Sequence, residues 1–257
     1  MSPDPSSGAS APPPPRGAFP STQWSMVLNA GEGSETQARA ALESLCRNYW
    51  YPLYTYIRRQ GRTHHEAEDC TQEFLARLLA SDGIARARPE RGRFRTFLLT
   101  SLRNFLINDW QRGQADKRGG GQAPLPLEFD TAGERFAREP VDPGLTPEQA
   151  FDRNYALDMI RRAIDSMHAE YEKNGRGALF GALRPLVWGN NSPESLAQQA
   201  ARLGMNAHAF SVALQRMRRR LGERLRLEVS QTVAEEADVD GELRHLIAAS
   251  AGAAPAE

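Results

Sequence analysis

Residues 196–221 read LAQQAARLGMNAHAFSVALQRMRRRL. Leu196, Ala197 and Ala200 fall at the spacing of a helix's inner face. Leu203-Gly204-Met205-Asn206 then interrupts the pattern. Gly204 supplies the permissive backbone needed just past a helix end, and Asn206 is a good N-cap for a new helix. Phe210, Leu214 and Met217 resume the apolar face. This is helix-turn-helix spacing. His208, Ser211, Gln215 and Arg218 lie on the opposite face, where a recognition helix presents side chains to the major groove. Arg216, Arg219, Arg220 and Arg224 add positive charge suited to phosphates. A plain helical hairpin with a solvated basic face is the alternative.

The arginine run belongs to a wider pattern that a net charge of +0 conceals. Residues 58–118 hold 13 Lys+Arg and 8 Asp+Glu, whereas 119–170 hold 5 and 10. Residues 196–228 hold 7 and 2, and 229–257 hold 1 and 6. Two basic blocks are thus each followed by an acidic one. Phosphate neutralisation dominates nucleic-acid affinity, so each basic block is a candidate contact surface.

Upstream, the periodicity predicts an all-α protein of two small helical domains. Residues 1–21 are Pro-rich and expected to be disordered. Residues 22–112 form the first domain. It has a short helix at 21–30, a long one over 36–60 interrupted by Pro52, one from Thr63 to Leu79, and one over 94–111. Thr63 and Glu66 have capping-box spacing. Residues 84–93 are a basic loop. Residues 113–145, with Gly119-Gly120-Gly121 and four prolines, are expected to be a flexible linker. The second domain spans 146–229. It opens at Thr146-Pro147-Glu148-Gln149, a capping box with Pro at the first helical position. Its further helices are expected at 177–188, from Ser192-Pro193-Glu194 to 203, and from Asn206 to 229. Residues 230–257 form an acidic extension with an amphipathic helix near 240–249.

Asp69, Gln72, Glu73 and Arg77 share one face of the third predicted helix, opposite Phe74 and Leu78. That polar strip suits docking on a partner helix, or simply solvent. Arg91, Arg93, Arg95, Arg103 and Arg112 lie beside or along the next helix, among Phe94, Phe97, Phe105 and Trp110. Cations interleaved with aromatics suit a strand of unpaired bases. The aromatics follow helical period and are assigned to the core, leaving Asn104 and Arg112 as the stronger DNA candidates.

These stretches together resemble bacterial RNA polymerase sigma factors of the extracytoplasmic-function type. Glu66-Ala67-Glu68-Asp69-Cys70-Thr71-Gln72-Glu73-Phe74 resembles the motif that docks on the polymerase clamp. Phe94-Arg95-Thr96-Phe97-Leu98, with Leu102-Arg103-Asn104-Phe105 through Asp109-Trp110-Gln111-Arg112, resembles the helix that reads the −10 promoter element. Residues 195–221 resemble the −35-reading domain. The resemblance covers 40–112 and 146–225. It implies that Asp69, Gln72, Glu73 and Arg77 contact core RNA polymerase. It implies that Arg93, Arg95, Asn104 and Arg112 contact −10 DNA. It implies that His208, Ser211, Gln215, Arg216, Arg218 and Arg219 contact −35 DNA. One departure is Ser211 and Ala213, where the family often carries basic residues. The rival reading is a helix-turn-helix regulator that binds duplex DNA as a dimer without polymerase.

No catalytic constellation appears, so no enzyme, cofactor or small-molecule substrate is expected. His64 and His65 point about 100° apart on a helix and are read as a solvated helix start, so no metal is expected. Cys46 and Cys70 read as core residues. No apolar run is long enough for a membrane helix and no secretory signal is seen, so a cytoplasmic location with no membrane partner is expected. Besides core polymerase and promoter DNA, an inhibitory protein or a modifying kinase is a candidate partner. Residues 231–249, with Thr232, Glu235, Glu236, Asp238 and Asp240, are expected to fold against the basic recognition helix.

Overall fold

The computed structural model describes residues 35–80, 93–115, 132–138, 144–189, 194–233 and 235–251. The helix expected at 21–30 and most of the 84–93 loop lie outside the described residues. The described residues are all-α: no strand occurs among them. The helices are α1 (Glu35–Arg59), α2 (His64–Ala80), α3 (Phe94–Ala115), α4 (Ala132–Arg138), α5 (Pro147–Lys173), α6 (Gly177–Leu183), α7 (Leu196–Arg202), α8 (Ala207–Ser230) and α9 (Val239–Ser250). No helix of the described residues is long and apolar enough to cross a membrane.

Helix α1 is the axis of the fold. Residues 49–57 are buried on every face. A helix apolar all round needs partners all round, and α1 has them. Helices α2 and α5 pack along it. Phe94 of α3 sits 5.4 Å from the Tyr49 ring. Tyr155 of α5 stacks on Tyr49 with centroids 5.0 Å apart and nearly parallel planes. Pro52 lies inside α1, which continues through it. Proline removes one helical hydrogen bond, and this packing holds the turn together.

The caps explain the helix starts. Thr63 N–H donates to Glu66 Oε2 at 2.8 Å, opening α2. Thr146 and Gln149 close a reciprocal box at α5, with Pro147 beside it. Helix α7 starts later than expected. Its N-cap is Ser195, boxed with Gln198, rather than Ser192. Its inner face also differs from the one expected: Ala197 is exposed, and Gln199 is buried with Ala200.

Two further differences concern domain layout. The 113–145 segment contains α4, which lies against α1. Arg135 stacks over the Tyr51 ring at 3.4 Å and also pairs with Asp158 of α5 at 2.8 Å. Phe136 meets Tyr54 edge-on. In addition, the two helical groups share one contiguous apolar core running from Leu45 through Tyr155 to Leu246. Helix α9 packs on α5 and α8, with Leu246 fully buried.

Candidate nucleic-acid and partner interface

The α2 strip forms as the spacing requires. Asp69 is exposed, and Gln72, Glu73 and Arg77 are half-buried. Glu73 and Arg77 form an i,i+4 ion pair. Arg77 also lies 5.3 Å from the centre of the Phe105 ring of α3. Phe74 packs against the same ring from beneath, with centroids 5.7 Å apart. Phe105 therefore couples the strip to α3. The outer residues Asp69 and Gln72 offer one carboxylate and one amide to a partner.

Helix α3 carries the expected −10 residues in four different settings. Asn104 is exposed. Arg112 lies in the last turns of the helix, and its side chain is outside the described residues. Arg93 is half-buried, immediately before the helix, and pairs with Glu242 at 2.9 Å. Arg95, expected at the DNA surface, is buried instead. Its Nε donates to Glu242 Oε1 at 2.5 Å and its Nη1 to Asp152 Oδ1 at 2.6 Å. The physical reason is the docking of α5 and α9 across the start of α3. Burial disfavours the Arg95 cation, but the Glu242 and Asp152 carboxylates outweigh it and raise its pKa. Phe94 is fully buried, as its helical spacing implied. Arg103 lies on the outer face and joins Glu148 of α5 and the Tyr56 hydroxyl. The hydrogen bonds to Glu148 and Tyr56 raise its pKa.

The α7–turn–α8 unit has the predicted hinge. Gly204 has φ +64°, the left-handed conformation that favours glycine. Its N–H donates to Ala201 O, and Met205 N–H donates to Ala200 O, closing α7. Asn206 Oδ1 accepts from Ala209 N–H at 2.7 Å, opening α8. Phe210, Leu214, Met217, Leu221 and Leu225 form its buried stripe. His208, Gln215 and Arg216 are exposed, and Ser211 is half-buried. Arg219 is exposed and reaches Glu223 at 3.3 Å. Arg218 is more constrained. Its guanidinium donates to the carbonyls of Val187 at 3.0 Å and Leu186 at 2.7 Å. It thereby ties α8 to the turn after α6. Arg220 and Arg224 both pair with Glu170 of α5. Of the arginine run, Arg216 and Arg219 are therefore best placed to meet a partner.

The acidic extension packs on α8 as expected, and on α5 as well. Asp240 does pair with Arg226 of α8. The deeper contact is Glu242, whose side chain is 1% exposed, on Arg93 and Arg95. Sequence reading missed this because Arg95 and Glu242 are 147 positions apart. A carboxylate on an otherwise apolar inner face, beside Val239, Leu243 and Leu246, was the available signal.

His64, His65 and Glu68 bring three potential ligand atoms within 4.8 Å of one another. Their arrangement has a simpler account. His64 Nδ1 bonds the Tyr54 hydroxyl at 2.9 Å, and Glu68 lies 3.5 Å from its Nε2, so the ring anchors the start of α2.

Among known families, residues 45–115 match the Sigma-70 region 2 model. The match runs from the middle of α1 through α2 to the end of α3, and it supports a sigma-factor relationship for that segment. Searches of the curated proteins and of the solved structures found no match.

Proposed function

We propose that this chain is a promoter-specificity factor of bacterial RNA polymerase, of the compact extracytoplasmic-function type, acting in the cytoplasm without catalysis of its own. The observation that carries the reading is the Sigma-70 region 2 match over α1–α3, with Asp69 and Gln72 presented on α2 within it. That region implies core RNA polymerase as the partner.

In this reading, α2 docks on core polymerase through Asp69, Gln72, Glu73 and Arg77. The outer face of α3 holds the opened −10 strand through Asn104 and Arg112, with Arg93 and Arg95 available to it only where Glu242 leaves them. The α7–α8 unit is a helix-turn-helix that reads the −35 duplex through His208, Ser211, Gln215, Arg216, Arg218 and Arg219. The work is done by binding energy. The shared core joins the two DNA-binding elements, and their linkage lets each half-site be weak. The caps at Thr63 and Asn206 fix where each presenting helix begins, and hence which side chains face outward.

The test is capture of purified bacterial core polymerase by the wild-type chain and by an Asp69→Ala/Gln72→Ala double variant. Capture by the wild type and its loss in the variant support the reading. No capture by the wild type, where a known sigma factor binds, leaves a helix-turn-helix DNA-binding protein that acts without polymerase.

A further inference from the structure

Three observations converge on the start of α3. Glu242 of α9 uses both carboxylate oxygens on the two arginines that flank Phe94. Oε1 accepts from Arg95 Nε at 2.5 Å. Oε2 accepts from Arg95 Nη2 at 3.3 Å and lies 2.9 Å from Arg93 Nε. The backbone between these arginines is covered as well: Phe94 N–H donates to the Thr232 carbonyl at 3.0 Å, and Thr232 is buried. Finally, Asp152 of α5 bridges the cluster, accepting from Arg95 at 2.6 Å and lying 2.9 Å from His245 of α9.

We infer that residues 232–250 are an internal competitor for the DNA strand at α3, with the Glu242 carboxylate holding the place of a backbone phosphate. This rests on the proposed role of α3 in strand binding. Two guanidinium groups around two anionic oxygens is the arrangement by which arginine takes a phosphate. Arg95 cannot meet a strand while Glu242 and Asp152 enclose it, and Glu242 takes the Nε of the half-buried Arg93, so α9 docking competes with strand binding there. Attachment of α9 does not itself require the charge. Val239 and Leu246 already bury its apolar face, and Asp152 keeps Arg95 paired when the Glu242 charge is removed. What the carboxylate adds is selectivity for these two arginines. Helix α9 also packs on α8, with Asp240 paired to Arg226 at its first turn, so release of the start of α3 is coupled to the proposed −35-reading helix.

The experiment uses the full chain and a fluorescein-labelled single-stranded DNA of mixed sequence, read by anisotropy across a salt series. Glu242→Gln keeps the side-chain shape and removes the charge. Asp152 still holds Arg95, so the change frees Arg93 and should tighten binding severalfold at low salt and steepen the log K against log salt slope by ~0.7, the contribution of one phosphate. Equal affinity and slope in the two proteins overturn the proposal. A second measurement needs no variant: hydrogen exchange over 239–250 in the wild type, with and without saturating DNA. Loss of protection on DNA binding supports competition, and unchanged protection overturns it. Failure of the polymerase reading shows elsewhere. If core polymerase is not captured but DNA still unprotects α9, the competitor stands in a protein that works without polymerase. If polymerase is captured and α9 stays protected, the competitor alone falls.

Discussion

Leu246→Ala tests whether the C-terminal helix belongs to the cooperative core. Leu246 is fully buried where α9 meets α5. The change removes about three methylene equivalents, or ~2.4 kcal/mol of transfer free energy at ~0.8 each. A residual cavity adds to this, because α5 and α8 cannot collapse fully onto the space, bringing the total to about 3–4 kcal/mol. For a chain of this size that corresponds to a fall in Tm of about 10 °C. The assay is urea unfolding followed by far-ultraviolet circular dichroism and by tryptophan fluorescence. All the proteins compared carry Trp24, Trp110 and Trp188 replaced by phenylalanine, so the signal is that of Trp50, which is buried in α1, far along the chain from the mutation, and reports on the common core. Ile247→Ala is the control, since Ile247 is 43% exposed and should cost well under half as much. If α9 unfolds separately, Leu246→Ala leaves the Trp50 transition where it was. That result would refute the single-core account, and with it the claim that α9 is held firmly enough to compete with DNA.

Other consequences are open to direct measurement. Gly204→Ala places a Cβ at φ +64° in otherwise open space, so it should destabilise by about 1 kcal/mol through backbone strain alone; a shift in the urea midpoint checks this. Asp158→Ala removes the acceptor of Arg135 and Arg161, and hydrogen exchange over 132–138 should accelerate while exchange in the buried turns of α1 stays slow. Burial, with Glu43 adding to it, pushes the Cys46 thiol up from 9.0 to about 12. It should therefore resist thiol reagents at pH 8 until the protein unfolds. Its raised pKa contributes stability that is full below pH 9 and lost as pH rises towards about 12; an alkaline unfolding series reads that loss.

Local chemistry was the most legible part of the sequence. The Thr63–Glu66 and Thr146–Gln149 boxes and the Gly204–Asn206 turn each state a backbone conformation within four residues, and each forms as read. Helix α7 shows where such reading goes astray. Ser192-Pro193 and Ser195 both offer starts, and the reciprocal bonds with Gln198 favour the later one. Helix α4 was missed because seven residues carry too little periodicity, and its position depends on Tyr51, Tyr54 and Asp158, contributed by α1 and α5. The joining of the two helical groups left a trace that went unread. Tyr51 and Tyr54 fill the side of α1 away from the expected apolar stripe, with Trp50 at the stripe's edge, and this requires a further partner. The burial of Arg95 left no local trace, since its two acceptors are 57 and 147 positions away. For the candidate interface, spacing alone separated the inward from the outward side chains of α8. Which outward arginines are held by the protein itself, as Arg218 is by the Leu186 and Val187 carbonyls, was decided by tertiary packing.

Promoter specificity is the central claim, and RNA 5′-end mapping tests it most directly. Core polymerase would transcribe fragmented DNA from the source genome with and without the purified chain. The account predicts new 5′ ends preceded by a shared pair of elements at fixed spacing, with the upstream element weakened selectively by Arg216→Ala. The same 5′ ends with and without the chain, alongside binding of the chain to a two-fold duplex site, would contradict it.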